Sequence, residues 1–227
     1  MKCTALIVLL GISLVFLHSP LQPLKGNYTR GALPSFSEIQ DYSSKTWNSA
    51  VLISSEEGQC TATVISNDYA LTAAHCVTER SRWTSGLMDE VKIIGYSQQK
   101  KETTTLLATP VAANIRADYA LIKGDFTAFS KVALLHSSDM LMLLQGPFIA
   151  CGFPYNSAGV CYQGENIAKQ EERLLIDAAI FPGMSGGPVV NRATGEVFAV
   201  ITAMQGSYGV ITPLIGLFES FGIEVIH

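Results

Sequence analysis

The stretch FPGMSGGPVV, Phe181 to Val190, places one hydroxyl, Ser185, among small residues just ahead of an apolar run. A serine is a weak nucleophile until a base takes its proton, and the base needs a third group to orient it. The chain has four histidines. His18 falls in an apolar N-terminal segment, His136 in a polar turn and His227 at the chain end, which leaves His75, in LTAAHC, as the candidate base. Ala73 and Ala74 before it are small, so the backbone there can pass close to its neighbours. Asp118, in ADYALIK, is the candidate orienter, because an acid at the mouth of a strand can accept the imidazole Nδ1 proton and fix the tautomer. A turn aspartate closing the loop NIRAD is the plainer reading of the same residue. Asp68 and Asp125 sit in polar turns and are weaker rivals, and Asp177 falls in the wrong place in the chain order.

Such groups need a rigid frame. With 227 residues, 48% of them hydrophobic, the chain can bury a real core, as one all-β unit or as two small barrels sharing an interface. From residue 47 onward short apolar runs alternate with turn residues. The runs predict strands over 49–54, 60–65, 69–74, 91–96, 103–111, 119–124, 148–153, 160–167, 173–179, 187–191, 196–204 and 208–213. Hairpin turns are expected at PYNSAG and RATG, and the tail 214–226 can hold a helix and a short strand. Period-2 patterns and few helical periods argue for antiparallel barrels or a sandwich. Crossover helices are missing, which argues against a doubly wound α/β fold. Ser185 is followed by Pro188 and the β-branched Val189 and Val190, a strand rather than the helix of a nucleophile elbow.

The formal charge of -4 carries no basic tail or acidic block, so no nucleic acid is expected as a partner. Lys2 precedes an apolar run from Ala5 to Leu17, about the length of a signal-peptide core and short for a membrane span. The expected organisation is a signal peptide over 1–19, a linker or propeptide over 20–46, an N-terminal β-barrel over 47–130 and a C-terminal β-barrel over 131–227. The product is a secreted or extracytoplasmic protein with no stable membrane partner unless the leader is retained. Without Cys3 four cysteines remain, Cys60, Cys76, Cys151 and Cys161. They allow three pairings, and proximity favours Cys60 with Cys76 and Cys151 with Cys161. Oxidation fits an exported chain. Zinc is the rival reading, against which neither pair forms a C-x2-C knuckle. No metal and no cofactor is expected.

LTAAHC at 71–76, DYALI at 118–122 and GMSGGPV at 183–189, in that order, resemble the chymotrypsin-like serine peptidases. The resemblance runs from about Ser49 to Val225. It implies two antiparallel β-barrels packed face to face with the site between them, and cleavage of polypeptide substrates through an acyl-enzyme. By position, Ser185 is the nucleophile, His75 the general base, Asp118 its orienter, and the N–H groups of Gly183 and Ser185 the oxyanion hole. The residue before the nucleophile is Met184, where the digestive and clotting branch has an aspartate that pairs with a newly released N-terminal amine. That ion pair is impossible here. Text like CTGT (Cys60-Thr61-Ala62-Thr63) and like GYP (Gly152-Phe153-Pro154), with Gln163-Gly164 beyond, lies nearer the glutamyl-endopeptidase-like group.

The resemblance puts the base of the primary pocket at Ala179 and its wall at Thr202, Ala203 and Met204. None of these carries a charge, which points to an uncharged P1 residue. The main alternatives are a catalytically silent, peptidase-like binding protein and an esterase using the same three residues.

Overall fold

Side chains that alternate between a core and an outer face close the first half of the chain on itself. A computed structural model describes residues 22–23, 48–55, 58–79, 86–97, 100–134, 147–157, 159–171, 173–192, 194–214, 217 and 221. After β1 (Gln22–Pro23) come β2 (Ala50–Ser55), β3 (Gly58–Val64), β4 (Tyr69–Thr72), β5 (Val91–Ser97), β6 (Glu102–Asn114) and β7 (Tyr119–Lys123). The last six form a closed antiparallel barrel in the order β2-β3-β4-β7-β6-β5, with β2 pairing β5 to complete the ring. Along β5, Val91 and Ile93 are buried while Lys92 and Tyr96 face solvent, the period of two that a pleated strand imposes. The barrel interior holds Val51, Ile53, Ala62, Val64, Ile93, Ile122 and Phe126.

The second half contains β8 (Phe148–Gly152), β9 (Val160–Gly164), β10 (Asn166–Gln170), β11 (Arg173–Ile176), β12 (Pro188–Asn191), β13 (Val197–Gln205) and β14 (Tyr208–Pro213). These strands make, with β1, one eight-stranded sheet in the order β1-β10-β11-β14-β13-β12-β8-β9. This corrects the expectation of two barrels: one is closed, and the second sheet is not. Closure would require β9 and β10, the terminal strands of the set β8–β14, to meet. Instead the free edge of β10 is taken by β1, with Gln22 opposite Lys169 and Pro23 opposite Ala168. The expected strand over 160–167 is split by the same geometry. Glu165 separates β9 from β10 and accepts the Asp177 N–H at 2.9 Å, and a Cβ on Gly164 would fall 2.5 Å from Asp177 O. The chain is pinned there against the end of β11, and β10 turns away from β9.

The two sheets meet through apolar side chains. Leu71, Tyr119 and Leu121 of the barrel pack on Val190, Val197 and Val200 of the open sheet, with Leu214 and Leu217. Of the expected linker only Gln22 and Pro23 are described, and they form β1. The expected leader and all of the expected tail except Leu214, Leu217 and Phe221 lie outside the described residues. Among the described residues no helix is long and apolar enough to cross a membrane.

One glycine tests how tightly the barrel is filled. A Cβ on Gly95 would stand 2.7 Å from both the Phe129 ring and Val51 Cγ1. Gly95→Ala is expected to destabilise the protein by about 1–3 kcal/mol through overpacking, read as a lower urea midpoint.

Candidate active site

His75 does not end a strand, as the run YALTAA suggested. β4 stops at Thr72, Ala73 is extended, and Ala74–Cys76 form one 3-10 turn that carries the imidazole away from the sheet. A disulfide from Cys76 to Cys60 on β3 ties this turn down. Asp118 closes the turn after β6. Its N–H donates to Asn114 O at 2.8 Å, and Asn114 Oδ1 accepts the Ala117 N–H at 3.0 Å. Asp118 is therefore a turn residue and a partner of His75 at once. Its φ of +62° costs roughly 1–2 kcal/mol for a side chain with a Cβ. The carboxylate offsets this by accepting the His75 backbone N–H at 3.0 Å and Nδ1 at 3.1 and 3.0 Å. Hydrogen bonds to a charged group contribute about 1.5–3 kcal/mol each, so the strained backbone is held by its own side chain.

This contact fixes which imidazole nitrogen is basic. A carboxylate only accepts, so Nδ1 carries the proton in this contact, and in the neutral imidazole Nε2 is the nitrogen left with a lone pair. The His75 side chain is 37% exposed and that of Asp118 14%, so the carboxylate is shielded while the imidazole reaches the surface.

Ser185 lies in the segment from Pro182 to Gly187, where every peptide group can be followed. Pro182 O accepts from Tyr155 N–H at 2.9 Å, Gly183 O from Thr61 Oγ1 at 2.8 Å and Met184 O from Gly187 N–H at 3.0 Å. Ser185 O accepts from Thr61 N–H at 2.8 Å, Gly186 O from Thr63 Oγ1 at 3.2 Å and Gly187 O from Ile201 N–H at 3.0 Å. The N–H of Met184 donates to Phe181 O at 3.1 Å and that of Gly186 to Ile201 O at 2.7 Å. Two N–H groups, of Gly183 and Ser185, have no acceptor among the described residues. Both residues are half-buried and line a pocket, so two open N–H groups beside a hydroxyl can receive an oxygen from outside.

His75, Gly183 and Ser185 line one small pocket of about 190 Å³, together with the Cys60–Cys76 bridge, Gln59 and Pro182. Among the described residues no side chain hydrogen-bonds Ser185 Oγ. The residues expected to shape the primary pocket do not line this space. Ala179 and Met204 are exposed, Ala203 is half-buried, and Thr202 is buried with its hydroxyl donating to Val210 O at 3.3 Å. The second bridge, Cys151–Cys161, joins β8 to β9. Cys60, His75 and Cys76 bring metal-ligand atoms within 4.8 Å of one another, but both sulfurs are spent in the bridge. Sequence reasoning missed Thr61 and Thr63. Their signal was the alternation of CTATV, in which every second residue leaves the barrel core.

Gly186 shows how closely the two halves fit here. Its φ is +82°, and a Cβ would fall against Thr72 Oγ1 and Thr61 O. Gly186→Ala is expected to destabilise the fold by about 2–4 kcal/mol and to displace Ser185, read by thermal unfolding and by the loss of Ser185 reactivity.

A profile described as the trypsin-like peptidase domain matches residues 60–200. No curated protein matches the chain significantly. Among solved structures the chain is similar to Deg5, with a TM-score of 0.66 and 20% identity over 81% of this chain and 91% of that one. It is also similar to a serine endoprotease from Yersinia pestis, with a TM-score of 0.62 and 19% identity over 85% and 67% of the two chains. The Rv3671c protease in an inactive form gives a TM-score of 0.59 and 17% identity over 86% and 100%. At these identities the structures speak to the fold alone. The profile match covers more than half of the chain and includes His75, Asp118 and Ser185, and the protein therefore belongs to the trypsin-like peptidase domain family.

Proposed function

We propose that the protein is an exported serine endopeptidase, with Ser185 as nucleophile, His75 as general base and acid, and Asp118 as the group that orients His75. Ser185 Oγ attacks the scissile carbonyl as His75 Nε2 takes its proton. The carbonyl oxygen becomes an oxyanion received by the N–H groups of Gly183 and Ser185. His75 then returns the proton to the leaving amine, and water releases the acyl group by the same steps in reverse. The halves 47–130 and 131–227 divide the work, the first supplying His75 and Asp118 and the second the nucleophile and the oxyanion donors.

The observation that carries this reading is the pair of open N–H groups at Gly183 and Ser185, in the pocket that His75 also lines. Two disulfides support an oxidising compartment. An uncharged P1 preference rests on the positions that the resemblance gives the primary pocket, among them the uncharged Ala179 and Thr202, the latter with its hydroxyl engaged within the sheet. Kinship with the glutamyl-endopeptidase-like group rests on the sequence text around Cys60 and Gly152. The open Ser185 hydroxyl favours the second reading, a silent peptide-binding relative. Catalytic hydrogen bonds are often long before substrate arrives, which keeps the enzyme reading ahead.

A fluorophosphonate probe separates the two. The purified protein is expected to take one adduct, mapped to Ser185 and absent in Ser185→Ala. A folded wild type that stays unlabelled overturns the enzyme reading. Asp118→Asn is expected to lower kcat by about four orders of magnitude, because the amide favours the wrong imidazole tautomer. A loss below about tenfold would mean that Asp118 serves only its turn.

A further inference from the structure

Every carbonyl from Pro182 to Gly187 is held, but not by equivalent partners. Three of the six bonds, at Gly183, Ser185 and Gly186, come from β3 in the other half of the molecule. Cys60, Ala62 and Val64 point into the barrel, and the intervening Thr61 and Thr63 point out at the loop. Both threonines are fully buried. Thr61 is the more connected of the two. Its N–H donates to Ser185 O, its carbonyl accepts the Thr72 hydroxyl at 2.8 Å, and its own hydroxyl has two partners. The hydroxyl donates to Gly183 O at 2.8 Å and accepts the Phe153 N–H at 3.0 Å.

Those two partners stand on either side of Gly183. The first is the carbonyl of the peptide that follows Gly183. The second opens the turn Phe153–Tyr155, whose Tyr155 N–H holds Pro182 O, the carbonyl of the peptide that precedes it. A peptide is planar, so fixing its C=O fixes the N–H on the opposite side. Holding Pro182 O therefore aims the Gly183 N–H the other way. Gly183 has φ of +97°, a conformation that residues with a Cβ rarely adopt, so the bonds that tie its flanking planes set their orientation.

We propose that Thr61 is a positioning residue for the oxyanion-binding donors, its hydroxyl holding the peptide after Gly183 directly and the peptide before it through the turn Phe153–Tyr155. The inference rests on the peptidase reading and adds to it a residue that touches neither the nucleophile's hydroxyl nor the base. The role predicts a cost in the transition state and little in substrate binding, because a ground-state carbonyl demands less of the donors than a full oxyanion.

The test compares Thr61→Val, which keeps the shape and removes the hydroxyl, with Thr61→Ser, which keeps the hydroxyl. Thr61→Val is expected to lower kcat by about 10- to 100-fold with KM within about twofold. The affinity for a peptide boronic acid, which forms a tetrahedral adduct, should fall by the same factor as kcat/KM. Thr61→Ser should return both to within about threefold of wild type. Wild-type kcat in Thr61→Val, a loss in KM alone, or a folded Thr61→Ser as impaired as the valine variant would each overturn the proposal. If Thr61→Val does not fold, Thr61→Ala replaces it. A water can enter there, so the expected loss is at least about threefold, and wild-type kcat overturns the proposal. Amide hydrogen exchange across 183–187 separates this inference from the peptidase reading. It should rise in the valine variant and recover in the serine variant whether or not the wild type turns over substrate. An inactive wild type with that exchange pattern sinks the peptidase reading and leaves Thr61 as the loop's anchor, whereas unchanged exchange removes Thr61 as well.

Discussion

A peptide N–H that is to receive negative charge from outside must have no acceptor inside the protein. A loop with two such donors has given up two of its own hydrogen bonds, so its carbonyls must hold it in place. The segment Pro182–Gly187 meets this condition with all six carbonyls bonded. The partners that matter most belong to β3, and β3 is a dependable support because it lies inside a closed barrel with β2 on one side and β4 on the other. Closure leaves no edge to fray, and the core residues Cys60, Ala62 and Val64 lock the register. A slip of one residue would turn Thr61 and Thr63 inward and withdraw both hydroxyls from the loop. Barrel closure, strand register and the direction of two N–H groups are thus one constraint seen at three scales.

The same barrel places His75. His75 sits on a 3-10 turn with little hydrogen bonding of its own, and it is held from two sides. The Cys60–Cys76 bridge ties it to β3, next to the residues that hold the Ser185 loop. Asp118 ties it to the β6–β7 turn by accepting from both its backbone and its ring. With the imidazole more than one third exposed, the Coulombic attraction of the pair is screened. The value of Asp118 lies in geometry and tautomer, which screening does not weaken.

Much of this was legible in the sequence. His75, Asp118 and Ser185 stand out because each combines a reactive side chain with the end of an apolar run, and their order along the chain carried the resemblance. Both cysteine pairings favoured by proximity occur in the structure. What the sequence hid was long-range. Two barrels were expected because the resemblance implies them and the strand pattern of the second half agrees with it. Closure depends instead on what occupies the edge of β10, and that is β1, from text that reads as a linker around Pro20 and Pro23. Thr61 is an ordinary strand residue until the loop 122 positions later is set against it. The primary pocket was placed by resemblance alone. Its four residues are not among those that line the pocket shared by His75 and Ser185.

Met184 brings these strands of reasoning together. The digestive branch puts a carboxylate at this position, and its loop is organised by an ion pair with an amine. Here the side chain is fully buried and apolar, packed in the core of the open sheet with Phe148, Ile201 and Val189. The fit is close: a Cβ on Gly152 would fall 2.9 Å from Met184 Cα and Cβ. A buried carboxylate in this place would need a partner to offset its desolvation, and the loop would depend on that partner's arrival. Met184 removes the dependence. Its packing holds the loop from the side of the open sheet while Thr61 and Thr63 hold it from the barrel, by contacts that form as the chain folds. The loop that an ion pair organises in the digestive branch is tied here by core packing on one side and strand register on the other.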